Sequence, residues 1–323
     1  MATGMMIEGK WHRKEYVQDN QGRFQRQPTT FRSQINSDRD NPFQPEAGRY
    51  HLYVSLACPW AHRTLIMRKI KGLENAITIS IVDPYMGDEG WWFSDAPGAI
   101  PDQVNHKQYL REIYVLAKSD YTGRVTVPIL WDKQTHTIVN NESREIIRML
   151  DHEFQAIATN PTDFCPPELQ EKIDQTIDAI YQPINNGVYR AGFATSQVAY
   201  EEGVTELFQH LDHWEAVLGQ QRYLCGDRLT EADWCLFTTL LRFDAVYYVH
   251  FKCNLRHIYE YPNLWNYLRD LYQYDDVKST CNLDHIKKHY YLSHPGSILP
   301  RSLKRSQFWI LISPIIVDQF NDL

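Results

Sequence analysis

The spacing of apolar positions changes partway along the chain. Residues 50–56 form a short apolar run, and Ala61, Leu65, Ile66, Ile70 and Leu73 then recur at near-helical spacing up to Gly72. A β-branched run follows at 77–82, so the segment predicts strand, helix, strand, which is a right-handed parallel βαβ unit. Residues 125–132 and 137–140 predict two further strands, joined as an antiparallel hairpin through the turn at 133–136. A helix opened by Asn140-Asn-Glu-Ser143 places Ile146, Ile147, Leu150 and Phe154 on one face. Pro128 inside a strand pattern is an anomaly, because proline donates nothing to a ladder. A cis peptide at a strand start, with the Val127 main chain turned to a ligand, accounts for it.

Beyond Asn160-Pro161 and Cys165-Pro-Pro167 the periodicity is purely helical. Leu169, Ile173, Ile177 and Ile180 line one predicted helix, and Val204, Leu207, Phe208, Leu211 and Leu218 a second. Thr230-Glu-Ala-Asp233 is a capping box opening a third, through Leu236, Leu240 and Phe243. Residues 263–273 and 282–291 give two more. The expected organisation is an α/β, thioredoxin-like domain over 49–157, with an inserted loop at 84–124, and an all-α domain over 165–295. Residues 1–48 are expected to be an irregular extension, and 296–323 a separate tail.

Composition narrows the function. At 43% hydrophobic and 23% charged residues the chain matches an ordinary globular protein, and its net charge of −7 gives no basic footprint for nucleic acid. The charged N-terminal stretch around Lys10 and Arg13 has no apolar core, so no secretory leader is expected. The strongest apolar stretch, 308–317, is too short to span a bilayer, so no membrane partner is expected. Six cysteines (58, 165, 225, 235, 253 and 281) form no paired motif and no zinc-ligand spacing. They fit free thiols in a reducing, cytoplasmic setting and no metal.

Cys58 stands out by position. It falls between the first predicted strand and its helix, where free N–H groups and the positive end of the helix dipole converge. These partial charges stabilise a thiolate, so its pKa should be depressed, and His62 and Arg63 can add positive charge. Pro59 suits the first helical turn. Most free cysteines are small core residues instead, but the strand–Cys-Pro–helix context favours a reactive one. Ala61 stands where a redox dithiol would carry its second cysteine. A lone thiolate that forms a mixed disulfide needs a thiol from solution to resolve it, and glutathione is the obvious candidate.

Several blocks then carry a resemblance. Cys58-Pro-Trp-Ala-His62, Gly90-Trp-Trp-Phe-Ser94, the run 124–132, Asn141-Glu-Ser143, the run 186–193 and the run 242–247 together resemble the glutathionyl-hydroquinone reductases, the Xi class of glutathione transferases. The likeness extends from about residue 5 to 295. It implies the two-domain glutathione transferase fold and glutathione as co-substrate. It also implies Cys58 as nucleophile, Trp91, Arg124, Val127, Glu142 and Ser143 as glutathione contacts, and Tyr189, Tyr247 and Tyr290 around the aromatic substrate. The expected partners are glutathione and glutathionylated aromatic quinols, in a homodimer. After Ser293-His-Pro295 the chain departs from the family's pattern.

Physical chemistry supports these roles without deciding them. A helix N-terminus at Glu142-Ser143 suits the γ-glutamyl carboxylate, the Glu142 carboxylate suits the amine, and Arg124 suits a second carboxylate. Each also has a plainer account: Glu142-Ser143 as an ordinary cap, Trp91 as packing, any one of 20 tyrosines as a half-buried amphipathic residue. Tyr248 and Tyr291 are neighbours that the sequence does not separate from Tyr247 and Tyr290. Alternatives are an omega-like monothiol transferase or dehydroascorbate reductase with the same thiolate, and a non-catalytic binding protein with an inert Cys58.

Overall fold

The computed structural model describes residues 2–15 and 17–294; the expected tail at 296–323, with its apolar 308–317 stretch, lies outside them. The described residues divide into two compact units, one holding 2–15, 17, 26–162 and 280–294, the other 18–25 and 163–279. The final described helix therefore groups with the first unit, which the linear division into 49–157 and 165–295 did not anticipate.

In the first unit, strands β1 (Ala2–Ile7) and β2 (Lys10–Glu15) form an antiparallel hairpin. This corrects the expectation of an irregular 1–48 segment: its polar composition hid a local hairpin that turns at Glu8-Gly9. Strand β3 (Tyr50–Val54), helix α1 (Pro59–Ile70) and strand β4 (Thr78–Ile81) make the expected parallel βαβ unit, with His51 opposite Thr78 and Val54 opposite Ile81. Gly72 ends the α1 region in the left-handed conformation that glycine adopts at low cost (φ +65°). The stretch 84–124 is not merely a loop, since it contains helix α2 (Leu110–Ala117) and strand β5 (Gly123–Arg124), which pairs with β1 to give the sheet order β2-β1-β5.

Strands β6 (Ile129–Asp132) and β7 (Thr137–Asn140) form the expected hairpin and complete a four-stranded sheet, β4-β3-β6-β7. The Val127–Pro128 peptide is cis. Helix α3 (Ser143–His152) packs beside α1 and buries Ile146, Ile147 and Leu150. Two buried ion pairs brace this layer. Arg49 grips Asp132 through two bonds of 2.9 and 2.7 Å, and Lys71 Nζ meets Asp151 at 2.9 Å.

The second unit is helical: α4 (Gln170–Ile180), α5 (Gly187–Gly192), α6 (Gln197–Leu218), α7 (Glu231–Arg242), the short α8 (Tyr248–His250) and α9 (Pro262–Gln273). Every residue of α7 is buried, so it forms the unit's core, with α4 and α9 packed on it. Its capping box forms as expected, with the Asp233 carboxylate accepting from the Thr230 N–H at 2.8 Å. Widened π turns follow α4 (Tyr181–Asn185) and α7 (Phe243–Tyr247). Helix α10 (Leu283–Leu292) returns to the first unit. Among the described residues no helix is long and apolar enough to cross a membrane.

Candidate active site

Cys58 is the N-cap of α1, in extended conformation (φ −76°, ψ 123°), with Pro59 in the first turn. Its Sγ therefore stands where serine or aspartate stands in an ordinary capped helix, at the positive end of the dipole. The thiol is half-buried and donates to the Val127 carbonyl at 3.6 Å. The residue before the cis proline and the thiol expected to react are thus brought together. Arg26 lies 4.0 Å from the ring centre of Trp60, with Arg63 at 6.0 Å on the same ring, so two guanidinium groups gather at the first turn of α1. His62 and Arg63 themselves are committed elsewhere. His62 Nε2 meets the Thr280 hydroxyl at 2.8 Å, and Arg63 Nη1 donates to Ser143 Oγ at 3.3 Å.

The other expected contacts are built from the surrounding loops. Glu142 is the N-cap of α3, and its carboxylate accepts from the Arg144 N–H and the Thr29 hydroxyl, both at 3.3 Å. Ser143 is buried at the first position of that helix. Arg124 Nη1 donates to the main-chain carbonyls of Gly4 (3.3 Å) and Lys14 (3.2 Å), which fixes the guanidinium against the β1–β2 hairpin. Trp91 is buried and stacks on His289 with ring centres 4.7 Å apart. His289 Nδ1 in turn meets the Pro84 carbonyl at 3.1 Å, and Ser293 Oγ accepts from Met86 N at 2.9 Å, so α10 holds the 84–91 loop at two points.

Tyr290 neighbours that clamp, its ring edge-on to His289 at 5.1 Å. Tyr189 on α5 and Tyr247 at the end of the second π turn lie in the helical unit, with ring centres 5.9 Å apart. All three tyrosines are buried, as is Tyr291, whose hydroxyl burial pushes up to about 12. Sequence reasoning missed His289, Ser293, Thr29 and Arg26, because each acts through a partner distant in the chain. The only local signal was their position beside singled-out residues: His289 next to Tyr290, and Trp60, the ring under Arg26, two residues after Cys58.

A four-stranded mixed sheet with a cysteine capping its first helix, followed by a helical unit, defines a glutathione transferase fold. The glutathione S-transferase N-terminal domain matches residues 57–153 and the C-terminal domain residues 197–270. The chain is 51% identical to the glutathionyl-hydroquinone reductase YqjG of Escherichia coli over 90% of this chain and 91% of that protein. It is 49% identical to the glutathionyl-hydroquinone reductase PcpF of Sphingobium chlorophenolicum, over 91% and 93%. A Xi-class transferase from Natrialba magadii superposes with a TM-score of 0.89 at 55% identity, covering 93% of this chain and 94% of that one. The glutathione-bound structure of YqjG superposes with a TM-score of 0.84 at 48% identity, over 92% and 95%. The chain belongs to the glutathione transferase family, and within it to the Xi class that contains the glutathionyl-hydroquinone reductases.

Proposed function

We propose that this protein is an enzyme that reduces glutathionyl-hydroquinones to hydroquinones at the expense of glutathione. The observation that carries this reading is a single cysteine at the N-cap of α1, with alanine and no second thiol three residues on and its Sγ on the Val127 carbonyl. The thiol–carbonyl bond favours the protonated form. Glutathione whose cysteinyl main chain pairs with Val127 takes that acceptor, which leaves Sγ to the N–H groups of the first turn and favours the thiolate.

In the first half-reaction the Cys58 thiolate attacks the glutathionyl sulfur of the substrate. A Cys58–glutathione disulfide forms and the ring C–S bond breaks. The electron pair goes to the ring carbon, which takes a proton from Tyr189, Tyr247 or Tyr290. A second glutathione thiolate then attacks the mixed disulfide and leaves as glutathione disulfide, regenerating Cys58. Glu142, Ser143, Arg124 and Trp91 hold the tripeptide by its amine, its carboxylates and its upper face.

Incubation with a glutathionyl-hydroquinone, without added glutathione, should leave one glutathione on Cys58 by peptide mass spectrometry, with an equal amount of free hydroquinone. No adduct on a Cys58 that still alkylates rapidly would move the assignment to an omega-like small-disulfide transferase. The same reading makes the protein a homodimer, which light scattering on the eluting protein tests by returning twice the chain mass.

A further inference from the structure

Four of the six cysteines (165, 225, 235 and 253) are buried, and burial pushes the Cys225 and Cys253 thiols up, away from reactivity. Only Cys58 and Cys281 reach solvent. Cys281 immediately precedes Asn282, whose side chain caps α10 by accepting from the His285 N–H at 2.9 Å. Its Sγ lies 3.8 Å from Nε2 of His62, a buried imidazole one turn beyond Cys58 on α1. The Thr280 hydroxyl completes the group, 2.8 Å from the same nitrogen and 4.0 Å from the sulfur. A thiol in reach of an imidazole, at the positive end of a ten-residue helix, has the surroundings that make cysteines nucleophilic.

We propose that Cys281 is a second reactive thiol, paired with His62, that accepts glutathione from glutathione disulfide. His62 Nε2 takes the thiol proton and the Cys281 thiolate attacks one sulfur of the disulfide. The Cys281–glutathione S–S bond forms as the original S–S bond breaks, and the departing glutathione thiolate takes the proton from His62. No net oxidation occurs. The reaction proposed above releases glutathione disulfide, and only this supply rests on that reading.

The test uses the full chain carrying Cys58→Ser, treated with glutathione disulfide itself, so failure of the hydroquinone assignment leaves it intact. Peptide mapping should find one adduct, on Cys281, removed by dithiothreitol, while the four buried cysteines stay unmodified and so report that the variant is folded. Adding His62→Gln should slow the adduct about tenfold, with the buried thiols still protected. No adduct on Cys281, or an equal rate with His62→Gln in a folded protein, would overturn the proposal.

Discussion

At Tyr247 the difference between a packing residue and a proton donor rests on one hydroxyl. The ring is buried, stacked on Phe251 at 5.4 Å and tilted against Tyr189. Tyr247→Phe preserves that packing. If the hydroxyl protonates the departing ring, the variant should lose on the order of 10²-fold in kcat for a glutathionyl-hydroquinone, the low end for general acid catalysis. Cys58 should still take glutathione from glutathione disulfide at the normal rate, because that exchange needs no ring proton. An unchanged kcat would return Tyr247 to the core and leave the role to Tyr189 or Tyr290. The sequence offered Tyr247 and Tyr248 as equals. Burial separates them, because Tyr247 closes a π turn inside the helical core while Tyr248 is half-buried at the start of α8 and stacks on His257.

At the scale of elements, local pattern and tertiary context contributed differently. The βαβ unit, the β6–β7 hairpin and the capped α7 were legible because their periodicity, turn chemistry and capping are written in consecutive residues. The π turns were not. Pro183 removes a donor within the first, and the buried Thr239 hydroxyl on α7 donates to Asn185 at 2.8 Å, so a partner on another helix helps hold the widened turn. Cys58 was legible from its strand–helix junction, whereas the His289 clamp on Trp91 was marked only by the neighbouring Tyr290. The Arg49–Asp132 fork, joining the start of β3 to the end of β6, yields a pH prediction. Burial alone raises the Asp132 carboxyl, but the bonds from Arg49, the Thr135 hydroxyl and the Gln134 N–H outweigh it and hold its pKa below the ordinary value. A depressed folded-state pKa stabilises the fold above the unfolded carboxylate pKa of about 3.9 and loses that contribution as pH falls through the folded value. Asp132→Asn should therefore lower Tm most near neutrality, with the gap to the parent protein closing below about pH 4. A gap that stays constant with pH would assign the effect to packing.

At the scale of the molecule, the β1–β2 hairpin reaches well beyond its own sheet. The Trp11 ring fills the space a side chain would need at Gly4, and a Cβ on Gly90 would meet it at 2.7 Å. Trp11 Nε1 also donates to the Asp88 carbonyl at 3.1 Å, and Arg111 lies 5.3 Å from its ring centre. Trp91 is the next residue after Gly90, and Arg124 takes its carbonyl partners from this same hairpin. Removing residues 2–15 should raise KM for glutathione several-fold while Cys58 alkylates as before, and an unchanged KM would confine the hairpin to stability. Methionines at positions 5 and 6 give this arrangement a further meaning. Translation begun at either one would omit Gly4 and cut β1 short. A chain shortened in that way would lose the Gly4 surface against which the Trp11 ring packs, while Cys58 and its turn stay unchanged.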